Sequence, residues 1–160
     1  MPELAYRRPV PEDLHFVADL FSRPEVVAHR PDPEPDPPAI SADRLARDIA
    51  HWERHGYGRW TVTEGGCHVA LGGVTAIADT DEVNISYHVH PDCWRRGIAG
   101  AVAAHAVSHA FTVLGVPRIR GLVREANPAS AHVLLKLGFL RAGVIEHAGQ
   151  PTVKYLLDHP

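Results

Sequence analysis

The amino-acid sequence predicts an α/β (α+β) fold organised as a single domain over residues 1–160. Of the 160 residues, 45% are hydrophobic, which is enough to build one core without disulfide or metal staples. Apolar residues recur at helical spacing before residue 56 and then alternate with polar residues, as they do in strands. Helical and strand patterns alternate again after residue 98, and no repeat or linker indicates a second domain.

Composition argues against several classes of function. The net charge of −3 does not favour a large nucleic-acid surface, because such surfaces are strongly basic. The apolar runs are well short of the roughly 20 residues that a membrane span needs, and residues 1–10 lack the apolar core of a signal peptide. Cys67 and Cys93 lie far apart without a Cys-x-x-Cys pattern, which indicates neither a disulfide framework nor a zinc knuckle. We expect a cytoplasmic protein without nucleic-acid, membrane or metal partners.

Two helices are predicted in the first third of the chain, with a proline-rich loop between them. Pro11–Asp13 forms an acidic helical turn, and apolar residues follow at helical spacing as far as Phe21. Arg30–Pro38 has five prolines in nine residues, which favours a stiff, extended loop, either a gate or a spacer. Ser41 is the predicted N-cap of the second helix, which ends at Gly56.

Three consecutive antiparallel strands are predicted next. Arg59–Thr63 and His68–Ala78 alternate apolar and polar residues, and Glu64–Gly66 between them is typical of a hairpin turn. Glu82–Val89 follows after a second turn and alternates in the same way. The middle of the chain is therefore expected to form an antiparallel meander.

The last third of the chain predicts a helix, a strand, a second helix and two closing strands. Ile98–Leu114 forms the first helix, and Arg118–Val123 is the next strand. Asn127 is the predicted N-cap and Gly138 the C-cap of the second helix. The Ile98–Leu114 helix has a polar stripe of His105, Ser108, His109 and Thr112. Its predicted sheet-facing residues are Ala103, Ala106, Val107, Ala110, Val113 and Leu114.

The segment CWRRGIAG, Cys93–Gly100, lies between a strand end and a helix start and predicts an anion site. The first amides of a helix have no intrahelical partner, and the helix dipole is positive at that end. Gly97 and Gly100 allow close backbone approach, and Arg95 and Arg96 add positive charge, so a diphosphate would suit the segment. The P-loop ending and the third glycine of a dinucleotide fingerprint are both missing. The alternative is an ordinary helix start with two solvated arginines.

Two longer segments carry a family resemblance. PDCWRRGIAGAVAAHAVSHAF, residues 91–111, resembles the acetyl-CoA pyrophosphate motif of the GCN5-related N-acetyltransferases (GNAT), and NPASAHVLLKLGF, residues 127–139, resembles their second cofactor motif. RRPVPEDL at 7–14 and GGV at 72–74 are closest to the ribosomal-protein alanine N-acetyltransferase branch. The resemblance implies the GNAT fold: a mixed, mostly antiparallel twisted sheet of about six to seven strands, with helices on both faces and a splay between the fourth and fifth strands.

The resemblance also implies where acetyl-CoA would bind. The pantetheine arm would add to the splayed strand like another strand, and an amide near Tyr87–Val89 would face the thioester oxygen. Trp94 occupies a position where the family carries Gln or Arg, which leaves the backbone contacts but changes a side-chain contact. The residues implied in cofactor binding are Tyr87, His88, Val89, Arg95, Arg96, Gly97, Ile98, Ala99, Gly100, Asn127 and Ser130.

The catalytic groups of the family are only partly present. Many members protonate the leaving thiolate with a tyrosine at the position of Leu134, which cannot donate a proton. Ser130 lies one helical turn earlier on the same face and is the predicted donor, unless its hydroxyl simply bonds the backbone. The glutamate found in relatives is replaced by Asn84, so His88 is the first candidate base and Glu82 the second; a strand histidine without a role is the alternative to His88.

Other conspicuous residues have simpler explanations. The pairs His51/His55 and His105/His109 have the spacing of helical metal ligands but lack a nearby Glu or Cys, so solvated helix faces are expected. Cys93 is expected to be a small, half-buried residue rather than a reactive thiol. The aromatic residues Trp52, Tyr57 and Trp60 are expected to divide between the core and an acceptor pocket.

The resemblance implies an acetyl-CoA-dependent N-acetyltransferase that needs no metal. Its acceptor would be a primary amine, either a protein N-terminus or a small molecule such as a metabolite or an antibiotic, attacked in a ternary complex. Two alternatives remain open at this point: a non-catalytic acyl-CoA-binding module, and a structural or partner-binding domain that has kept only the fold. The expected assembly is a monomer or a homodimer.

Overall fold

The computed structural model describes residues 3–160, which form one seven-stranded sheet flanked by helices. The strands are β1 (Leu4–Arg7), β2 (Arg59–Glu64), β3 (Cys67–Ala76), β4 (Val83–Val89), β5 (Arg118–Val123), β6 (Leu140–His147) and β7 (Gln150–Asp158). The helices are α1 (Leu14–Ser22), α2 (Pro24–Val27), α3 (Pro38–His55), α4 (Ile98–His109) and α5 (Pro128–Lys136). None of the described helices is both long and apolar enough to cross a bilayer.

The sheet has the order β1-β2-β3-β4-β5-β7-β6, and β4 with β5 is the parallel pair among the described strands. The predicted meander over β2, β3 and β4 is confirmed, with Glu64 and Cys67 paired across the hairpin. The edge strand β1 pairs with β2 and was not predicted, because its four residues are too few to establish a period. The mixed, mostly antiparallel sheet of the GNAT fold is thus confirmed.

Apolar residues on the two faces of the sheet form separate cores. On one face α4 and α5 cover the main core, and α4 lies so close to β3 that a Cβ on Gly72 would be 2.6 Å from Cγ1 of Val102. On the other face α1, α2 and α3 form a smaller core with Leu71 of β3, to which Leu20 and Leu45 belong. Side chains alternate between these faces along β4, so the strand serves both.

The predicted start of the second helix is wrong. The helix α3 begins at Pro38 with Pro37 as its N-cap, because a proline in the first helical position has no amide that needs a partner. Ser41 is instead a fully buried residue inside the helix. The predicted end at Gly56 is confirmed, since Gly56 adopts a left-handed conformation with φ 74°.

The helix predicted over Ile98–Leu114 changes its geometry in the last turn. After His109, residues Ala110–Leu114 form a π-helical turn, which has more residues per turn than an α-helix. The extra residue rotates Val113 away from the sheet, and 68% of its surface is exposed. The prediction that Val113 faces the sheet is therefore wrong, whereas Ala103, Ala106 and Ala110 are fully buried as predicted.

The splay between the fourth and fifth strands is present. The parallel register is limited to three pairs, ending at Ile85 with Gly121. Beyond that point β5 continues to pair with β7, and residues 86–89 of β4 have no partner on the β5 side within residues 3–160. The sheet therefore opens a V-shaped gap at the carboxyl ends of β4 and β5.

Candidate functional site

A cleft of about 300 Å³ occupies the gap between β4 and β5. Its walls are the open halves of both strands, the start of α5, the segment after α2, and the β6–β7 turn region. The residues that line it include Asn84, Ser86, Tyr87, His88, Arg120, Arg124, Asn127, Ser130 and Leu134. The sequence-predicted residues Tyr87, His88, Asn127 and Ser130 are therefore brought together at one place.

The segment before α4 presents a run of backbone amides without acceptors. Within residues 3–160, none of the amides from Arg95 to Gly100 donates a hydrogen bond, and the first bond of the helix runs from Ala101 to the carbonyl of Gly97. Gly97 adopts a left-handed conformation with φ 77°, and a Cβ on Gly97 or Gly100 would meet no atom within 4 Å. Six consecutive N–H groups at the positive end of a helix thus lack an acceptor, with open space over Gly97 and Gly100, an arrangement suited to phosphate oxygens.

Two side chains fasten this segment to the sheet. The indole Nε1 of Trp94 donates to the carbonyl of Val89 over 2.8 Å, so Trp94 ties the segment to the end of β4. The guanidinium of Arg96 pairs with Glu64 at the end of β2. Arg95 is exposed, makes no ion pair in the described part of the chain, and adopts a positive φ of 65°. Of the two predicted arginines, Arg95 is the one available to an anion.

A tyrosine and a serine meet on the face covered by α4 and α5. The hydroxyl of Tyr87 lies 2.9 Å from Oγ of Ser130 and donates to the carbonyl of Ser130 over 3.0 Å. Asn127 caps α5, as predicted, by accepting a hydrogen bond from the amide of Ser130. Burial raises the pKa of Tyr87 to about 12, with its bond to Ser130 opposing that shift. Tyr87 therefore keeps its proton under physiological conditions.

Leu134, at the position of the family tyrosine, cannot donate a proton in the cleft. Leu134 has only 1% of its surface exposed, and a Cβ on Gly121 would lie 2.5 Å from its Cδ1. Its side chain packs between α5 and β5. The phenol that lines the cleft belongs to Tyr87 instead. From the sequence, only the backbone of Tyr87 was expected to contribute to the site.

The other face of β4 carries His88. Its Nδ1 is buried without a partner in the described structure, and its ring contacts Phe21 edge-on at 5.0 Å between centroids. Burial and the positive charges of Arg59 and Arg44 hold the pKa of His88 well below its usual value. His88 is therefore a neutral imidazole at the wall of the cleft.

Arginines surround the same side of the cleft. Arg59 pairs with Asp48 at 2.9 Å, and Arg30 and Arg44 share Asp36 at 3.0 and 2.9 Å. The Arg30 contacts also order the proline-rich loop, because Arg30 donates to the carbonyl of Glu34 as well. The predicted loop therefore begins at the rim of the cleft.

Several predicted candidates lie elsewhere. Glu82 precedes β4 and is not among the residues that line the cleft. His51 bonds the backbone of Tyr57 and Ala76, and His105 stacks on Tyr6 with ring centroids 3.7 Å apart. Within residues 3–160 no group of three or more His, Cys, Asp or Glu side chains is placed to hold a metal ion.

The predicted aromatic residues and cysteines lie in ordinary environments. Trp52 and Trp60 belong to the main core, and Tyr57 packs partly against it. None of the three lines the cleft, so the expectation of an aromatic acceptor pocket is not supported by their placement. Cys93 is half-buried and unpaired, and Cys67 is exposed.

Comparison with known proteins gives a family match over most of the chain. A sequence model described as an acetyltransferase (GNAT) domain matches residues 3–140. The Bacillus subtilis protein YoaA, described as an uncharacterized N-acetyltransferase, is 36% identical over 90 residues, covering 54% of this chain and 51% of that protein. The match thus spans about half the length of that relative.

Solved structures share the complete fold. A spermidine N-acetyltransferase from Vibrio cholerae, in complex with CoA and spermine, has a TM-score of 0.79 and 19% identity, covering 98% of this chain and 95% of that chain. RimL, a ribosomal-protein alpha-N-acetyltransferase in complex with coenzyme A, has a TM-score of 0.79 and 16% identity, covering 97% and 93%. At these identities the likeness is one of fold, and the ribosomal-protein branch stays a prediction.

Proposed function

The chain belongs to the GNAT acetyltransferase family, and on that premise we propose that it transfers the acetyl group of acetyl-CoA to a primary amine by direct attack in a ternary complex. The observation that carries the proposal is the run of six free amides, Arg95–Gly100, beside an open parallel strand pair. Such a pair of features accommodates a molecule with a pyrophosphate at one end and an extended amide-containing arm at the other. Coenzyme A has this chemistry.

Apart from the family match, the geometry of the residues present also fits acetyl-CoA. Open space over Gly97 and Gly100 leaves room for phosphate oxygens against the amides of residues 95–100. The unpaired edge of residues 86–89 offers backbone groups to the pantetheine arm, as an edge strand does to a peptide. When bound, acetyl-CoA would supply a thioester, which accepts the amine at carbon and releases sulfur.

Ser130 and Tyr87 would supply the proton that the leaving sulfur requires. Their oxygens lie 2.9 Å apart, so Ser130 is free to donate outward when the single Tyr87 hydrogen turns from the Ser130 carbonyl to the Ser130 hydroxyl oxygen. The high pKa of Tyr87 keeps the pair protonated. Because the α5 cap holds Ser130 through its amide, the hydroxyl is positioned by the helix and not by a flexible loop.

His88 would accept the proton of the amine, directly or through water. It is neutral because burial and nearby arginines lower its pKa, so its lone pair is available. The same positive charges would lower the pKa of an ammonium group bound beside it, which favours the neutral, nucleophilic form of the amine. Asn84, at the position of the family glutamate, bonds Arg120 and the carbonyl of Ile85 instead.

Two measurements test the proposal. Calorimetry with acetyl-CoA tests cofactor binding, and release of free CoA thiol with a panel of N-terminal peptides, polyamines and aminoglycosides tests transfer. Tight acetyl-CoA binding with no thiol release for any amine would favour the non-catalytic acyl-CoA-binding module, which the changes at Leu134 and Asn84 allow. Absence of acetyl-CoA binding would favour a structural or partner-binding domain that has kept only the fold. The two unpaired cysteines accord with a reducing compartment, and the proposal assigns the reaction to the cytoplasm.

A further inference from the structure

The cleft carries a local positive charge that the whole chain does not have. Apart from Tyr87, whose raised pKa keeps it neutral, its titratable lining residues in the described structure are all basic, and none is a carboxylate, although the net charge of the chain is −3. The six residues are His29, Arg30, His88, Arg120, Arg124 and His147. We propose, on the basis of the transferase function proposed above, that the acceptor is a primary amine bearing its own anionic group, which Arg120 and Arg124 bind.

These two arginines differ from the other partly buried arginines of the protein. Elsewhere in residues 3–160, every arginine that is at least half-buried forms an ion pair with Asp or Glu. Arg120 and Arg124 form no ion pair within the described chain, although the charge of Glu82 acts on Arg120 without direct contact, and both arginines line the cleft. Since a partly buried charge is costly without a counter-charge, a missing anion at this position is the simplest complement.

Each of the two side chains is fixed by neutral groups and leaves donors free. Nε of Arg120 donates to Oδ1 of Asn84 over 3.1 Å. One terminal nitrogen of Arg124 donates to the carbonyls of His147 and Gln150 and, over 2.7 Å, to Oγ1 of Thr152. The remaining guanidinium donors have no acceptor within residues 3–160. A guanidinium held in this way can offer paired N–H groups to a carboxylate or a phosphate.

The pKa values of nearby histidines are lowered by the same positive charges. Burial, together with Arg30 and Arg124, holds the pKa of His29 below its usual value. The pKa of His88 is lowered in the same way by burial and the arginines around it. An anion in the cleft would therefore meet the unpaired charges of Arg120 and Arg124 without an opposing carboxylate in the lining, and a polyamine would be repelled.

The arginines are on the wrong face to serve the phosphates of coenzyme A. Arg120 is directly opposite Asn84 in the parallel register, so it shares the face of β4 that carries His88. Tyr87, Ser130 and the start of α4 belong to the opposite face. The free amides of Arg95–Gly100 are also available to the pyrophosphate without help from β5. The anion bound by Arg120 and Arg124 therefore belongs to the acceptor.

A matched set of amines tests the inference. The set consists of four small primary amines that differ in their second group. β-Alanine carries a carboxylate, O-phosphoethanolamine a phosphate, ethanolamine no further charge, and putrescine a second ammonium group. We expect kcat/KM for the two anionic amines to exceed that for ethanolamine at least tenfold, and putrescine to be the poorest. The ratio of β-alanine to O-phosphoethanolamine distinguishes a carboxylate from a phosphate. A preference for putrescine or ethanolamine overturns the inference.

Variants of the arginines provide the second readout. Arg120→Gln and Arg124→Gln should raise KM for the anionic amines about tenfold or more, and should lower kcat/KM for the anionic amines by a much larger factor than kcat/KM for ethanolamine. Arg118→Gln is the control, because Arg118 is on the same strand but pairs with Asp158 away from the cleft. Loss of activity with all amines alike would indicate a purely structural role and overturn the inference.

Binding of the product separates this inference from the proposed function. N-acetyl-β-alanine and N-acetyl-O-phosphoethanolamine, titrated in the presence of CoA, should bind to the wild-type protein and about tenfold more weakly to the Arg120→Gln/Arg124→Gln double variant. If no amine supports turnover but this difference remains, the transferase proposal fails and the anion site stands. If both proteins bind the two products equally, the anion site is wrong even when turnover is observed.

Discussion

The two faces of β4 present different kinds of chemistry. On the side of α4 the site consists of main-chain amides, Arg95–Gly100, beside a strand edge. On the side of α1, α2 and α3 it consists of side chains: His88 from β4, and Arg120 and Arg124 from β5 and the residue that follows it. A common cofactor can be bound by backbone geometry alone, whereas the acceptor must be selected by side chains.

This difference predicts that the two sides tolerate substitutions unequally. Trp94 replaces the Gln or Arg of the family without disturbing the amides that follow it, because its indole fastens the segment to Val89. A change at Arg120 would remove a charge that no neighbour replaces. Binding of the cofactor is therefore expected to be robust to side-chain exchange, whereas binding of the acceptor is expected to be sensitive to it.

The largest effect expected on the cofactor side concerns the two hydroxyl side chains that donate the proton. Ser130→Ala should lower kcat about 100-fold with little change in the acetyl-CoA dissociation constant, because the proton for the leaving sulfur is lost. Tyr87→Phe should lower kcat about tenfold, since Ser130 remains but loses its partner. Steady-state kinetics and calorimetry measure both quantities. Ser108→Ala, at an exposed position on α4, is the control; unchanged turnover in Ser130→Ala would exclude the assigned role.

The next effect tests whether backbone access controls cofactor binding. Gly100→Leu should raise the acetyl-CoA dissociation constant roughly 10- to 100-fold, because the new side chain fills the space over amides that bond phosphate, at about 1.5–3 kcal/mol per charged hydrogen bond. Nothing lies within 4 Å of a Cβ at this position, and leucine favours helix more than glycine, so the melting temperature should not fall.

The control for this change lies one helical turn further along. Ala104→Leu adds the same side chain at an exposed position of α4 and should leave the dissociation constant unchanged. Equal affinity in Gly100→Leu and the wild type would contradict the backbone site. Calorimetry measures affinity, and a thermal melt confirms folding.

A smaller effect is expected from the base on the acceptor side. Because burial and arginines depress the pKa of His88, it loses its lone pair only well below the ordinary imidazole value of about 6.5. The kcat profile at saturating substrates should therefore be flat from pH 6.5 to 8 and fall only at lower pH. His88→Gln should lower the plateau about tenfold and remove the acid limb, whereas His15→Gln, at an exposed position, should do neither. A limb centred near pH 7, or an unchanged profile in His88→Gln, would exclude His88 as the base.

The smallest effect concerns the side chain that departs from the family pattern. Trp94→Phe removes one hydrogen bond, from Nε1 to the carbonyl of Val89, which contributes about 1 kcal/mol. The acetyl-CoA dissociation constant should rise roughly fivefold, since the amides remain but are held less firmly. A change larger than that of Gly100→Leu would mean that side chains dominate the cofactor side and would reverse the comparison.

Most of the fold and half of the site were predictable from local patterns. The meander, the α5 cap at Asn127 and the turn at Gly56 follow from spacing and from residues that act on their immediate neighbours. The errors at Ser41 and Val113 arose where such patterns compete: two prolines offered an earlier helix start, and a π turn changed the helical period. The phenol of Tyr87 was missed because its partner Ser130 is 43 residues away.

The sequence by itself determined the order of the elements and the amide-rich segment before α4, because helix starts, turns and glycine positions depend on neighbours along the chain. The tertiary structure alone decided which side chains share the cleft and which of the arginines lack a counter-charge. Ion pairing depends on distances of a few ångströms between residues tens of positions apart, and those distances are set only when β4, β5 and the helices pack together.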